Sequence, residues 1–248
     1  MLASTNPAVL SYDPAYAYEL AHIVRAGIDR MYGGTHPDPN VMVYLTVYNE
    51  PIVQPAEPEG VDVDGIVKGI HLLQPATSSG APAQILASGV GVPWALEAQE
   101  LLAGYGVAAD VWSVTSWTEL RRDGLRADEH NLLHPLAPRQ TPYLTAKLAD
   151  ARGPFVGVSD YSHTVPDLIR PYVPGDYATL GADDYGFSDT RAAARRYFFI
   201  DGPSIAVRVL ASLAQRGELD PAVVAKAIED FRLFDVTAGT SGNAGGES

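Results

Sequence analysis

Apolar residues recur at helical spacing from Tyr16 through Leu20, Ile23, Val24 and Ile28 to Met31. Asp13-Pro14 ahead of them reads as an N-cap with proline in the first turn, and Gly33-Gly34 as the stop, so the pattern predicts a helix. Past a Pro-rich turn, Val41 to Tyr48 (VMVYLTVY) is β-branched and aromatic and predicts a buried strand. Residues 49–61 (NEPIVQPAEPEGV) carry three prolines and exclude regular structure, so they read as a linker or a working loop.

A second unit begins near Val61. Ile66 to Leu73 fits a short helix or a strand equally. Gln84–Val90, Ala108–Val114 and Pro154–Ser159 read as strands, with a short one at Tyr177–Leu180. Helices are predicted at Pro93–Tyr105, Ser116–Arg122, Thr141–Ala149, Val165–Tyr172, Asp189–Tyr197, Ser204–Arg216 and Pro221–Phe231, the last capped by Asp220. Strands alternating with helices imply an α/β protein with a mostly parallel sheet covered on both faces. The Gly/Ser/Thr-rich stretch 237–248 reads as a disordered tail.

Composition narrows the classes. Seventeen basic against thirty acidic residues give a net charge of −13, which repels a phosphate backbone and argues against nucleic acid as a partner. No cysteine is present, which removes disulfides, thiolate metal sites and a cysteine nucleophile. No apolar run approaches the roughly 18 residues of a membrane span. The opening MLASTNPAVLSYD has neither the basic start nor the apolar core of a signal peptide. A soluble cytoplasmic protein with no membrane partner is the expectation.

Candidate chemistry is sparse. Gly89-Val90-Gly91 lies where a strand turns into a helix, and Asp110 follows about 20 residues on, half of a dinucleotide fingerprint. Trp94 stands where the third glycine belongs, and glycine pairs at such turns are common. His130 and His134 share a helix face, yet no third metal ligand is evident, so hydrogen bonding to loop backbone is the plainer reading. Ser88 lacks the G-x-S-x-G elbow of a serine nucleophile, and no phosphate loop is present. Asn49-Glu50 closes a predicted buried strand, where α/β sheets present functional groups; the alternative is an exposed loop glutamate. The acidic turn Asp183–Asp189 reads as a helix cap or as a site, with capping the simpler choice. From these residues alone the chain is an α/β protein without a complete active site.

Several stretches together resemble one family, the homodimeric type of pyruvate dehydrogenase, the thiamine-diphosphate-dependent component of its complex. They are SYDPAYAYELA (11–21), YNEPIVQPAEPEG (48–60), ASGV (87–90), VWSVTSWTELRRDG (111–124), NLLHPL (131–136), VSDYS (158–162), RPYVP (170–174), LGADDYGFSDTR (180–191) and ASLAQRGELDPAVVAKAI (211–228). They run in the family's order, and the NEPIVQP and DFRLFDV wording is similar to actinobacterial members. The resemblance implies a three-layer transketolase-like C-terminal domain with a mixed, mostly parallel sheet over 62–236. It also implies a helix–strand remnant of the pyrimidine-binding domain over 1–48, a linker at 49–61, and a start in mid-domain.

For function, the resemblance implies pyruvate decarboxylation on thiamine diphosphate with Mg²⁺, then acetyl transfer to a lipoyl-bearing acetyltransferase component by a homodimer. The family's metal–diphosphate motif and its activating glutamate have no counterpart here. The chain alone is therefore expected to bind no cofactor tightly and to turn nothing over. Tyr12 matches a position near the aminopyrimidine. Glu50 is the candidate catalytic group, and Asn49 and Gln54 line the approach to the active site. Some members carry a histidine after the Asn-Glu pair; Val53 stands there instead. No metal ligand is assigned. The rival is a non-catalytic dimerisation or docking module of such a complex.

Overall fold

The computed structural model describes residues 2–33 and 37–239. Near the start, β1 (Val9–Tyr12) and β2 (Met42–Leu45) pair in parallel across α1 (Ala17–Tyr32). The main sheet contains β3 (His71–Gln74), β4 (Ala81–Ala87), β5 (Val107–Ser113), β6 (Phe155–Val158) and β7 (Tyr177–Leu180). Their order across the sheet is β3-β5-β4-β6-β7, with β3 antiparallel to β5 and every other neighbouring pair parallel. This is the mixed, mostly parallel α/β sheet that the sequence implied.

The two-residue period of the strands explains the layers. In β4, Ala83, Ile85 and Ala87 enter one core while Leu86 enters another on the opposite face. Both faces are apolar, so both must be covered. On one side lie α3 (Gly91–Ala103) and α7 (Gly202–Gln215), which contribute Trp94, Leu102 and Ile205. On the other lie α4 (Trp117–Leu133), α5 (Tyr143–Lys147) and a 3-10 helix, Pro166–Tyr172. The first core also takes in Leu10, Tyr16 and Ile23, so the N-terminal unit shares a core with the main sheet.

Local chemistry moves several boundaries. Tyr16, not Asp13, precedes α1, and Glu19 reaches back to accept from the backbone N–H groups of Ala15 (2.7 Å) and Tyr16 (3.0 Å). The strand expected over Val41–Tyr48 is shortened to β2 and is not buried: Met42 is 59% and Tyr44 53% exposed, because β2 pairs only with β1. The ambiguous stretch Ile66–Leu73 is both elements. Gly69, at φ +114°, ends α2 (Val63–Lys68) and lets β3 begin. Ser116 caps α4 as expected, but the helix continues to Leu133 through Gly124, whose bare backbone seats the Tyr172 ring.

Thr190, rather than Asp189, caps α6 (Arg191–Tyr197). Buried Arg196 then pairs with buried Asp201 at 2.8 Å and donates to the carbonyls of Phe231 and Arg232, which ties α6 to the end of α8 (Pro221–Asp230). The span Arg191–Gln215 is long and apolar enough to cross a bilayer by composition, but 67% of its most apolar window is buried inside the fold. Val236–Ala238 form a 3-10 turn, and of the stretch 237–248 read as a tail, residues 240–248 lie outside the described residues.

Candidate functional site

The chain leaves β4 to build β5 on one side and returns to build β6 on the other. This reversal opens a crevice beyond the C-terminal ends of β4 and β6, the usual place for function in such sheets. Ser88 and Gly89 follow β4, and Ser159 and Asp160 follow β6. The N-terminal unit fills the crevice with the ends of β1 and β2. Asp13 N–H donates to Thr115 O (2.7 Å), and Gly89 N–H donates to Asp13 O (3.1 Å).

Asp13 is the centre of this junction. Its carboxylate accepts from Thr46 Oγ1 (2.5 Å), Tyr48 Oη (2.5 Å) and Ser88 Oγ (2.7 Å). Burial pushes the Asp13 carboxyl up, and the three hydroxyl donors oppose that shift. Asp160 has fewer donors: the Tyr48 hydroxyl is 3.4 Å from its Oδ1. Burial, and then the nearby Asp13 charge, raise Asp160 to about 7. Tyr48 is pushed upward as well, by burial and by the two carboxylates, so its hydroxyl stays protonated.

Two hollows flank the junction. One, of about 390 Å³, is lined by Tyr12, Asp13, Tyr44, Thr46, Trp117 and Tyr161 among others. The second, of about 190 Å³, includes Pro14, Leu20, Tyr48, Glu50, Ile52 and Gln54. Thr46 lies on both. The structure thus sets Tyr12 in the first hollow, and Glu50 with Gln54 in the second.

Each of these side chains is already engaged. The Tyr12 hydroxyl donates to Val67 O (2.9 Å), and burial raises its pKa to about 12. Glu50 is ion-paired with Arg195, whose guanidinium lies over the Trp94 ring at 4.7 Å. Asn49 Oδ1 accepts from Arg191 Nη2 at 3.3 Å. Gln54 Oε1 accepts from Ala17 N–H (2.9 Å), at the first residue of α1. The loop after β2 is therefore held to α6 at one end and to α1 at the other.

The remaining sequence candidates are placed elsewhere. Tyr48 occupies the approach to Gly89, where a dinucleotide phosphate would need room. Asp110 lies within β5 rather than at its end, and accepts from Ala76 N–H and the Gln84 amide. His130 and His134 stack with ring centroids 4.5 Å apart, and His134 Nδ1 is 3.0 Å from the His130 carbonyl oxygen. Among the described residues no three His, Asp or Glu side chains are grouped to share a metal ion. In the acidic turn, Asp183 accepts from His163 N–H (2.9 Å), and Tyr185 is fully exposed.

Sequence reasoning missed the junction of Asp13, Tyr48, Ser88 and Asp160. Asp13 looked like a helix cap, and Ser88 mattered only as a failed nucleophile. The available signal was a polar residue just after three separate apolar runs, at Asp13, Ser88 and Ser159-Asp160.

The family comparison gives this sheet its class, the C-terminal domain of transketolase-like proteins. Residues 69–201 match the transketolase-like TK C-terminal domain, and residues 1–55 match the pyruvate dehydrogenase E1 component middle domain. Solved transketolases share the fold. The Campylobacter jejuni enzyme gives a TM-score of 0.58 at 18% identity over 85% of this chain and 27% of that one. A split-gene transketolase described as an inactive beta4 tetramer gives 0.58 at 17% identity over 86% of this chain and 60% of that one.

The chain belongs to the transketolase-like TK C-terminal domain family, and its first 55 residues are similar to the pyruvate dehydrogenase E1 component middle domain. It is 57% identical over 241 residues to the pyruvate dehydrogenase E1 component of Mycolicibacterium smegmatis, and 54% over 240 to that of Mycobacterium tuberculosis. The Escherichia coli K12 component is 45% identical over 231 residues. The first two comparisons span 96% of this chain but only 26% of each relative, so the chain represents about a quarter of their length.

Proposed function

We propose that this chain is the C-terminal part of a pyruvate dehydrogenase E1 component, an oxidoreductase that decarboxylates pyruvate on thiamine diphosphate with Mg²⁺ and passes the acetyl group to a lipoyl domain of an acetyltransferase. The observation that carries this reading is the 57% identity over 96% of the chain to an E1 component. In the complete enzyme the cofactor supplies the carbanion and the electron sink. The residues present here do not fit its diphosphate–metal anchor. Asp13 is satisfied by three hydroxyls, Glu19 by four hydrogen bonds, and Glu50 is paired with Arg195. The anchor then belongs to the upstream part of the whole enzyme, and the chain alone does not turn over.

What these residues do is shape and hold. The Tyr12 ring forms a wall of the larger hollow while its hydroxyl fastens β1 to α2. Glu50, Asn49 and Gln54 fix the loop beside the smaller hollow, so in this reading they position the approach to the active site. The whole enzyme works in the cytoplasm as a homodimer. The rival, a docking module, draws support from the apolar surface that Val24, Ile28, Met42 and Tyr44 expose on α1 and β2.

A hybrid in which this chain replaces the last quarter of the M. smegmatis E1 component tests the reading. The hybrid is expected to release CO₂ from pyruvate with thiamine diphosphate and Mg²⁺, and the isolated chain is not. A folded but silent hybrid overturns the assignment. Turnover by the isolated chain overturns the claim that it is inactive alone.

A further inference from the structure

At the opposite end of the main sheet, a pocket of about 320 Å³ lies between the start of β7 and α7, lined by Asp176, Tyr177, Arg208, Ser212, Gln215 and Arg216 among others. Arg208, Ser212, Gln215 and Arg216 share one helical face, at the spacing that brings i, i+4, i+7 and i+8 together. Two of these groups are engaged. Arg216 donates to Asp176 (2.6 Å) and Glu218 (2.8 Å), and the Ser212 hydroxyl donates to Arg208 O (3.0 Å).

Arg208 is different. Its Nε is buried without a hydrogen-bond partner, and among the described residues no carboxylate pairs with its guanidinium.

We propose that this pocket binds a small oxyanion, a phosphate or carboxylate group, on Arg208. The planar guanidinium fork matches two oxygens of such a group, and the Gln215 amide supplies a further donor from the same helix face. Arg216, held by Asp176 and Glu218, forms the rim. The site is separate from the crevice at the strand C-termini, since Asp176 and Tyr177 lie at the start of β7. Its ligand does not take part in the chemistry proposed above.

The experiment is a titration of the ¹⁵N-labelled 248-residue chain with inorganic phosphate, at an ionic strength held constant with sodium chloride. The Arg Nε–Hε signals are the readout, and acetate serves as a second arm. The Arg208 signal is expected to shift saturably with phosphate, with acetate, or with both; which one saturates sorts tetrahedral from planar anions. The same anion is expected to raise the melting temperature of the wild type but not of Arg208→Gln, and Arg208→Lys is expected to weaken binding about tenfold. A signal that saturates with neither anion overturns the proposal, as does an equal melting shift in a folded Arg208→Gln. If Arg208→Gln does not fold, the wild-type titration alone decides.

Discussion

Tyr48 and Gly89 fit together as plug and socket. Gly89 has φ +51°, and a Cβ built on it would lie 2.7 Å from Cζ and Cε2 of the Tyr48 ring. Only glycine meets both demands at the turn after β4. Gly89→Ala is expected to destabilise the fold by about 2–4 kcal/mol, from backbone strain and overpacking together. Urea unfolding of a double-mutant cycle separates the two. The cost persists in a Tyr48→Phe background, where the ring remains, and falls in Tyr48→Ala, where only the strain is left.

Asp160 makes stability depend on pH. Its carboxyl holds a proton up to about 7 in the fold, against a usual value of 3.8. Between those values the unfolded chain releases a proton that the fold retains, so stability falls as pH rises from about 4 to about 7 and stays lower above. Asp160→Asn keeps an acceptor for Tyr48 and removes the titration. It is expected to stabilise the chain by about 1–3 kcal/mol at pH 8 and by almost nothing at pH 4, measured as melting temperature against pH.

The sheet was largely legible because its strands are continuous apolar runs whose alternate residues feed two cores, and four expected strands coincide with β4 to β7 within a few residues. The exposed β2 was not, because its composition resembles that of a buried strand while its burial depends on a neighbour the sequence cannot display. The site was legible only in part. Tyr12, Asn49, Glu50 and Gln54 lie around the junction, but their hydrogen-bond commitments are made to Val67, Arg191, Arg195 and Ala17, none of them a sequence neighbour. Asp13 illustrates the limit most clearly. Asp-Pro before a helical pattern is a good local cap, yet three hydroxyls from distant segments outbid that role.

Glu19 is the rivet between the N-terminal unit and the main sheet. It is fully buried on α1 and accepts from His71 Nε2 of β3 (2.7 Å) and Ser113 Oγ of β5 (2.6 Å), besides its two backbone donors. Glu19→Ala strands four polar partners at once and is expected to cost about 3–5 kcal/mol. Ser113→Ala removes one donor and is expected to cost about 1 kcal/mol. Urea midpoints of the two variants check the ratio; equal costs contradict the riveting role.

Gln54 links the loop to the first turn of α1, and its effect is expected to be local. Ala17 N–H is one of the amides a helix cannot satisfy internally, and the Gln54 side chain satisfies it from 37 residues away. Gln54→Ala is expected to cost only about 0.5–1 kcal/mol of global stability. The Ala17 amide, however, is expected to lose its protection against hydrogen exchange while amides of β4 and β5 keep theirs. Exchange followed residue by residue decides the matter. Unchanged protection at Ala17 means that the loop is held by the Arg191 and Arg195 contacts alone, and uniform loss across the sheet means that the cap is coupled to the whole fold.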